Sequence, residues 1–487
     1  MVSGIHIARW MTDQSLSYGC GGEYPEPTVR ANQTPGAVQG KPSSTYTVQQ
    51  PTTIKPADST KLENKNVSEA VCVANPRIFF QGPPGLYSEG NIIVSGTEQE
   101  GEVSDRGLVT GATLAFGTCG YDVVWTMGDG AIHFVQYDLN GKFKKTDLLR
   151  EGLHWPADPA LARGENGLGL VWTDLKENES GNLIFMATDL DGTRPSEDIT
   201  IAKIKKGTKA DILPVENGYW VAYVGIPEGA GEDEKEGLYV AMLGPDRTLQ
   251  SQVPLDGYEE NGFGPVGSPS MTLNPDEGEV AFAWSYGKVD FQSFPLVIDA
   301  SLKFATMNID QEGTLPAILL ESLGKNCFMP TLAWSGSGYL LVWNEWISGE
   351  AADIYSVIVN RNGEVSQFKT KLNEGDLGRG ASARLSGLEA TKAGDGVVVA
   401  WSEKRDGPED HEIWDLVTTF VDPAGMATDP VLRLSEETVD QVDGIVLYQS
   451  MDPTIVCAAY GCGATYLYRL NDGFDGTAKF IPFLWRR

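Results

Sequence analysis

Three carboxylates, Asp174, Glu345 and Glu403, each sit two residues beyond a tryptophan that closes an apolar run, in "LGLVWTD", "YLLVWNE" and "VVVAWSE". Glycosidic chemistry needs two carboxyl groups about 5 to 10 Å apart, one to protonate the leaving oxygen and one to serve as nucleophile or base. If equivalent positions of a repeated unit converge, these three are the candidate catalytic residues of a carbohydrate hydrolase or lyase. Tyr286, Asn344, Trp346 and Arg405 occupy comparable positions just past the same runs. With the three carboxylates they form a set of candidate ligand contacts, in which Trp346 offers a flat face for a sugar or an aromatic ring.

Other chemistries find less support. Asp189 and Asp191 in "TDLDGT", and Glu232 and Asp233 in "GIPEGAGEDEKEG", have the carboxylate density that calcium requires. The competing readings are an Asp-Gly hairpin for the first and a solvated acidic loop for the second, since neither has the spacing of an EF-hand loop. Calcium is therefore the one cofactor left open, and no other is expected. The histidines, His6, His133, His154 and His411, are scattered and form no metal-ligand pair. No G-x-S-x-G nucleophile elbow and no S-x-D-x-G-x-T-W box occurs. Only Arg405 is placed to help gather the arginines that a sialidase would use.

The chain of 487 residues carries 67 acidic against 37 basic side chains, a formal net charge of -30. Such a field repels phosphate backbones, so nucleic acid is excluded as a partner and a protein or a glycan is expected instead. No stretch reaches the roughly 18 to 20 consecutive apolar residues of a membrane-spanning helix. Contact with a membrane is expected only through a lipid anchor.

The candidate residues belong to a repeat. Aromatics closing the second apolar run recur at Trp125, Trp172, Tyr223, Trp284, Trp343, Trp401 and Tyr460, at intervals of 47 to 61 residues. Each is followed by a variable loop, a further β-rich run and a turn such as "DLNG", "DLDG" or "NRNG", whose Asn-Gly and Asp-Gly steps suit tight hairpins. A short apolar run and a linker follow, often with a proline before the next unit, as in "DPALA", "SPSMTL" and "MPTLAW". Seven units of four strands, A to D, each roughly 55 residues long, match the period of a β-propeller blade. The aromatics are then core side chains packed between sheets. In such a meander the A–B and C–D turns share one face, while the long polar B–C loops and the D–A connections share the other, where function is expected. "EGNIIVSG" and the carboxy-terminal "AKFIPFLW" are the candidates for an outer strand that closes the ring.

The run from Pro330 to Gly363, "PTLAWSGSGYLLVWNE…DIYSVIVNRNG", resembles the blade repeat of exported bacterial β-propellers, often lipoproteins. The resemblance covers roughly residues 110 to 487 and implies an all-β propeller and an exported protein, and with the seven counted units the expectation is a seven-bladed β-propeller over residues 71–487. Residues 21–70 are rich in Pro, Thr, Ser and Gln and too poor in apolar side chains to fold, so they read as a disordered tether. Before them, within a degenerate export or lipidation segment at 1–20, "SLSYGCGGE" resembles the cleavage and lipidation site of bacterial lipoproteins, with Cys20 as the acyl acceptor. Cys457 and Cys462 in "CAAYGC" are close enough for a local bridge. The expected function is an extracytoplasmic binding or assembly module that presents an acidic loop face to a glycan or protein partner. The alternatives are a carbohydrate-active hydrolase or lyase and a structural subunit of a surface assembly.

Overall fold

A computed structural model describes residues 85–88 and 92–93. From 109 to 486 it describes all but 118–119, 140, 177–179, 194, 206–207, 231–235, 291–296, 310–316, 321–322, 349–350, 367–368, 374–382, 407–411, 428–430, 436–447, 459–460 and 471–475. The expected lipidation residue Cys20, the tether and the acidic pair Glu232 and Asp233 lie outside the described residues. Among those that are described, every element is a β-strand, and the strands fall into consecutive antiparallel groups of four.

The amino-terminal strands are β1 (Gly85–Ser88) and β2 (Ile92–Ile93). The first group of four is β3 (Val109–Gly117), β4 (Gly120–Met127), β5 (Ala131–Asp138) and β6 (Phe143–Arg150). The second is β7 (Pro156–Arg163), β8 (Leu168–Leu175), β9 (Ser180–Thr188) and β10 (Ile199–Lys205), and the third β11 (Asp211–Val215), β12 (Gly218–Pro227), β13 (Gly237–Leu243) and β14 (Leu249–Gly257). The fourth is β15 (Gly264–Asn274), β16 (Glu279–Asp290), β17 (Val297–Asn308) and β18 (Ile318–Leu319), and the fifth β19 (Cys327–Trp334), β20 (Tyr339–Ser348), β21 (Ala351–Val359) and β22 (Thr370–Lys371). Then come β23 (Ala383–Ala393), β24 (Gly396–Asp406), β25 (Glu412–Val421) and β26 (Leu432–Arg433), followed by β27 (Tyr448–Ala458), β28 (Gly461–Leu470) and β29 (Gly476–Arg486). The last group takes its fourth strand from the other end of the chain: Leu86 pairs with Trp485 and Ile92 with Phe480. Both segments expected as closing strands are thus used, against each other.

Burial explains the apolar runs. The second strand of each group is covered on both faces, so β8, "LGLVWTDL", is buried along its whole length. In β20, Leu341 and Trp343 pack toward the fourth group while Leu340 and Val342 pack toward the sixth. The outermost strand of the first group, β6, is half exposed and reads as a polar "FKKTDLLR". Each core cluster joins one group to the next, and the circuit closes where Trp125 and Tyr137 pack against Leu467 and Phe480. The first strands β3, β7, β11, β15, β19, β23 and β27 lie each beside the next, and β27 lies beside β3.

Two expectations are corrected. The aromatic of the last second strand is Tyr466, and the expected Tyr460 lies outside the described residues: "VCA" ends β27, and "TYLYRL", which follows the expected aromatic, belongs to the second strand β28. Tyr466 stands five residues beyond Gly461, as Trp401 stands five beyond Gly396, and it is fully buried toward the preceding group. The prolines expected in linkers lie inside first strands, Pro159 in β7, Pro269 in β15 and Pro330 in β19, and Pro453 sits likewise in β27. A register shift at each of these sites removes the ladder bond that proline could not make.

Candidate functional site

The carboxylates anticipated from the sequence are each engaged within their own neighbourhood. Asp174 Oδ1 accepts the backbone N–H groups of His154 and Trp155, both at 3.0 Å, and ties the approach to β7 to the end of β8. Glu345 pairs with Lys369, whose ammonium lies 3.8 Å over the Tyr355 ring. Glu403 is 2 % exposed and accepts the Trp401 indole N–H at 3.1 Å. Burial raises the Glu403 carboxyl above the ordinary range, against the opposing effects of that hydrogen bond and of Arg433. These three belong to the second, fifth and sixth groups, and nothing in their bonding brings them together.

The remaining candidates have comparable fates. Asn344 is fully buried between sheets. Trp346 folds back onto Ala300, Phe328 and Ala352. Arg405 lies in β24 opposite Ile413. Tyr286 gives its hydroxyl proton to Glu259 and carries the Lys303 ammonium 3.3 Å over its ring. Asp191 is occupied by the Thr193 hydroxyl at 2.6 Å and the Thr193 N–H at 3.1 Å, and Asp189 by Arg247 at 3.5 Å, which makes "TDLDGT" a braced turn. Among the described residues no three His, Cys, Asp or Glu side chains are grouped so as to hold a metal ion.

A different cluster gathers at the first strands. Asp158 and Asp452 sit at the irregular steps of β7 and β27 with φ of 50° and 49°, a left-handed conformation that aspartate tolerates better than most residues, and each precedes a proline. Lys209 stands two residues before β11, where its backbone N–H donates to Ser268 Oγ at 3.1 Å. Its ammonium lies 3.7 Å from Asp452 Oδ1. Asp211 opens β11 and accepts the Met271 N–H at 2.6 Å, while Glu389 comes from β23. Side chains from the second, third, sixth and seventh groups therefore act on one another.

Electrostatics gives the cluster its character. For Lys209 burial favours the neutral amine, but the carboxylates of Asp452, Asp158 and Glu389 outweigh it and hold the pKa above its ordinary value. Burial pushes the Asp211 carboxyl up to about 7, against the N–H groups of Met271 and Ile212. Burial, and then the neighbouring Asp211 carboxylate, push Glu389 up to about 8, with Lys209 opposing. Lys209 keeps 40 % of its side chain accessible and Asp452 24 %, so water reaches groups that protein surrounds. Near neutral pH the arrangement offers two carboxyls, Asp211 and Glu389, poised around their ionisation, beside the Lys209 ammonium. These can donate to and accept from hydroxyls, and can move a proton.

The sequence reading missed this cluster, although a signal was present. "ADPALA" and "MDPTIV" carry the same Asp-Pro step at equivalent places in two units.

Comparison with known proteins gives no matching family model and no matching curated protein. Among its structural neighbours are β-propeller proteins. A protein of unknown function from Dyadobacter fermentans superposes at a TM-score of 0.46 and 11% identity, covering 83% of this chain and 100% of that one. An α-L-arabinanase of Penicillium chrysogenum, complexed with arabinobiose, gives 0.44 and 10%, covering 82% and 98%. The β-propeller domain of the Trilobed protease from Pyrococcus furiosus, described as having an open velcro topology, gives 0.41 and 9%, covering 76% and 93%. At that degree of overlap these likenesses carry no argument about activity.

Proposed function

We propose that the chain is a seven-bladed β-propeller, exported and held at the cell surface or in the periplasm by residues 21–70, that works as a binding or assembly module for a glycan or protein partner. The observation that carries this reading is the Lys209 ammonium 3.7 Å from Asp452 of a distant sheet, with Asp158 and Glu389 of two further sheets acting on it. A structural ion pair needs two groups, whereas a polyhydroxylated or amine-bearing ligand needs several donors and acceptors fixed in advance by a rigid frame. The sheets that follow one another and close on the first support the seven-bladed count. The Cys457–Cys462 disulfide supports export, because such bonds persist in oxidising compartments.

A second reading, a carbohydrate-active hydrolase or lyase, no longer rests on Asp174, Glu345 and Glu403. It draws on Asp211 and Glu389, interacting carboxyls pushed to about 7 and about 8, which suits one of them to give a proton and the other to accept one near neutrality. A glycan array read with and without calcium, followed by product analysis of every retained glycan, separates the readings. Retention of an unchanged ligand supports the binding module, release of new reducing ends supports the enzyme, and no retention counts against the glycan form of both. Intact mass of the natively produced protein tests the anchor: a chain beginning at an acylated Cys20 supports it, and an unmodified Met1 terminus removes it.

A further inference from the structure

A groove of about 400 Å³ opens beside the end of β14, on the side of the long loops, lined by Glu236, Tyr239, Pro254, Asp256 and Tyr258 among others. Its walls are set before any ligand arrives. The Tyr258 ring lies flat against Gly264, where a Cβ would stand 2.2 Å from Tyr258 Cδ1, so only glycine lets the ring occupy that place. The Tyr258 hydroxyl donates to the Pro265 carbonyl at 2.6 Å. One side of the ring is thus fixed to the backbone of β15, while the residue lines the groove. The ring of Tyr239 stacks on Tyr223 with centroids 5.8 Å apart.

The polar side of the groove is equally braced. Asp256 Oδ2 accepts the Trp284 indole N–H at 2.8 Å and the Lys303 ammonium at 2.9 Å, and its Oδ1 accepts the Gly257 N–H at 3.0 Å. Lys303 also lies on the face of Tyr286, and Tyr286 donates to Glu259, which accepts from Asn261 at 2.9 Å. The neighbourhood offers acidic oxygens at Glu236, Asp256 and Glu259, and its cation Lys303 is committed to Asp256 and Tyr286. An anionic ligand would meet repulsion, and a bare cation would find Asp256 already compensated. A neutral sugar needs an immobile aromatic ring for its C–H face and carboxylates at the rim for its hydroxyls; Tyr258 is the pinned ring that lines this groove, and Glu236 and Asp256 stand beside it.

We propose that the groove beside β14 is a saccharide subsite that stacks one neutral sugar ring of an oligosaccharide on Tyr258, separate from the cluster around Lys209. The test is calorimetric titration with neutral gluco-, manno-, xylo- and galacto-configured hexasaccharides. The wild-type protein is expected to bind at least one of them. Tyr258→Leu should weaken that binding about tenfold, while Tyr258→Phe, which keeps the ring, should stay within about twofold. Asp211→Asn separates the two sites: binding that it abolishes while Tyr258→Leu keeps it belongs to the Lys209 cluster and not to the groove. The proposal is overturned if none of the four binds, if Tyr258→Leu binds as the wild type does, or if only Asp211→Asn loses binding, in which case the reading of the Lys209 cluster still stands. Should Tyr258→Leu fail to fold, Glu236→Gln decides: about threefold weakening supports the subsite, and unchanged affinity refutes it.

Discussion

The Lys209 ammonium lies 3.7 Å from the Asp452 carboxylate, although the two side chains come from the third and the last groups of strands. No pair of sequence-adjacent sheets makes this contact, so it reports the circuit as a whole. Replacing Lys209 with methionine removes the ammonium that pairs with Asp452 and that acts on Asp158 and Glu389. Because Lys209 reaches water, the expected loss is about 1 kcal/mol, at the upper end for accessible pairs. Chemical denaturation at pH 7 measures it, and an unchanged midpoint would show that Lys209 contributes nothing to closing the circuit.

The pH dependence of stability has a sign that can be worked out. Asp211 and Glu389 titrate near 7 and 8 in the folded protein against ordinary values of 3.8 and 4.5. Between those limits the native state holds protons that the unfolded chain has lost, so these groups stabilise the fold in acid and lose that contribution as pH rises toward 8. The slope cannot exceed about 1.4 kcal/mol per pH unit for each group. His133, whose pKa burial lowers against the pull of Asp129, acts in the opposite sense around pH 6.5. The clean measurement is therefore the difference between the wild type and the Asp211→Asn, Glu389→Gln double variant. Relative to the variant, wild-type stability should fall from pH 5 to pH 8, and parallel curves would refute the assignment.

Asp174 is expected to behave as a structural residue. Its removal as Asp174→Ala leaves the N–H groups of His154 and Trp155 without their acceptor, at a cost of about 1 to 3 kcal/mol. Binding or turnover measured well below the unfolding temperature should be unchanged. A selective loss of activity at preserved stability would restore Asp174 to the catalytic candidates.

The four-strand unit was legible because each second strand is sandwiched between two sheets, and that double burial writes an unbroken apolar run ending in an aromatic. The last unit misled for a local reason: "VCAAY" imitates such a run in sequence, but its "VCA" ends a first strand whose hairpin carries Cys457 opposite Cys462. The repeated Asp-Pro step marked two members of the charged cluster, Asp158 and Asp452, but their convergence with Lys209, Asp211 and Glu389 was illegible because it comes only with closing the circuit, which no local pattern encodes. Trp346 and Glu345 looked functional since polar residues after a core aromatic can point to solvent. In the folded chain one packs on Phe328 and the other meets Lys369.

The disulfide between Cys457 and Cys462 closes a short loop between facing positions of β27 and β28. The chain-entropy argument for a loop this small gives about 2 kcal/mol. The Cys457→Ser, Cys462→Ser double variant should lose stability by that amount, and reductant should shift the wild type but not the variant. Equal stability of the two proteins under oxidising conditions would show that the bond is dispensable to the fold.

The last group of strands depends on a segment far away in the chain. β29 exposes to β1 the backbone groups of residues 483–486, and to β2 those of Lys479 and Phe480. Without these partners β29 becomes an unpaired edge, next to the interface where Phe480 packs on Tyr121 and Tyr137. A chain beginning after Ile93 should therefore be less stable than the full one and should self-associate as its concentration rises, because an open edge accepts a strand from another copy. Adding a peptide of residues 83–96 in trans should restore the monomer in sedimentation experiments. A truncated chain that stays monomeric and equally stable without the peptide would mean that β28 and β29 hold the circuit closed by themselves.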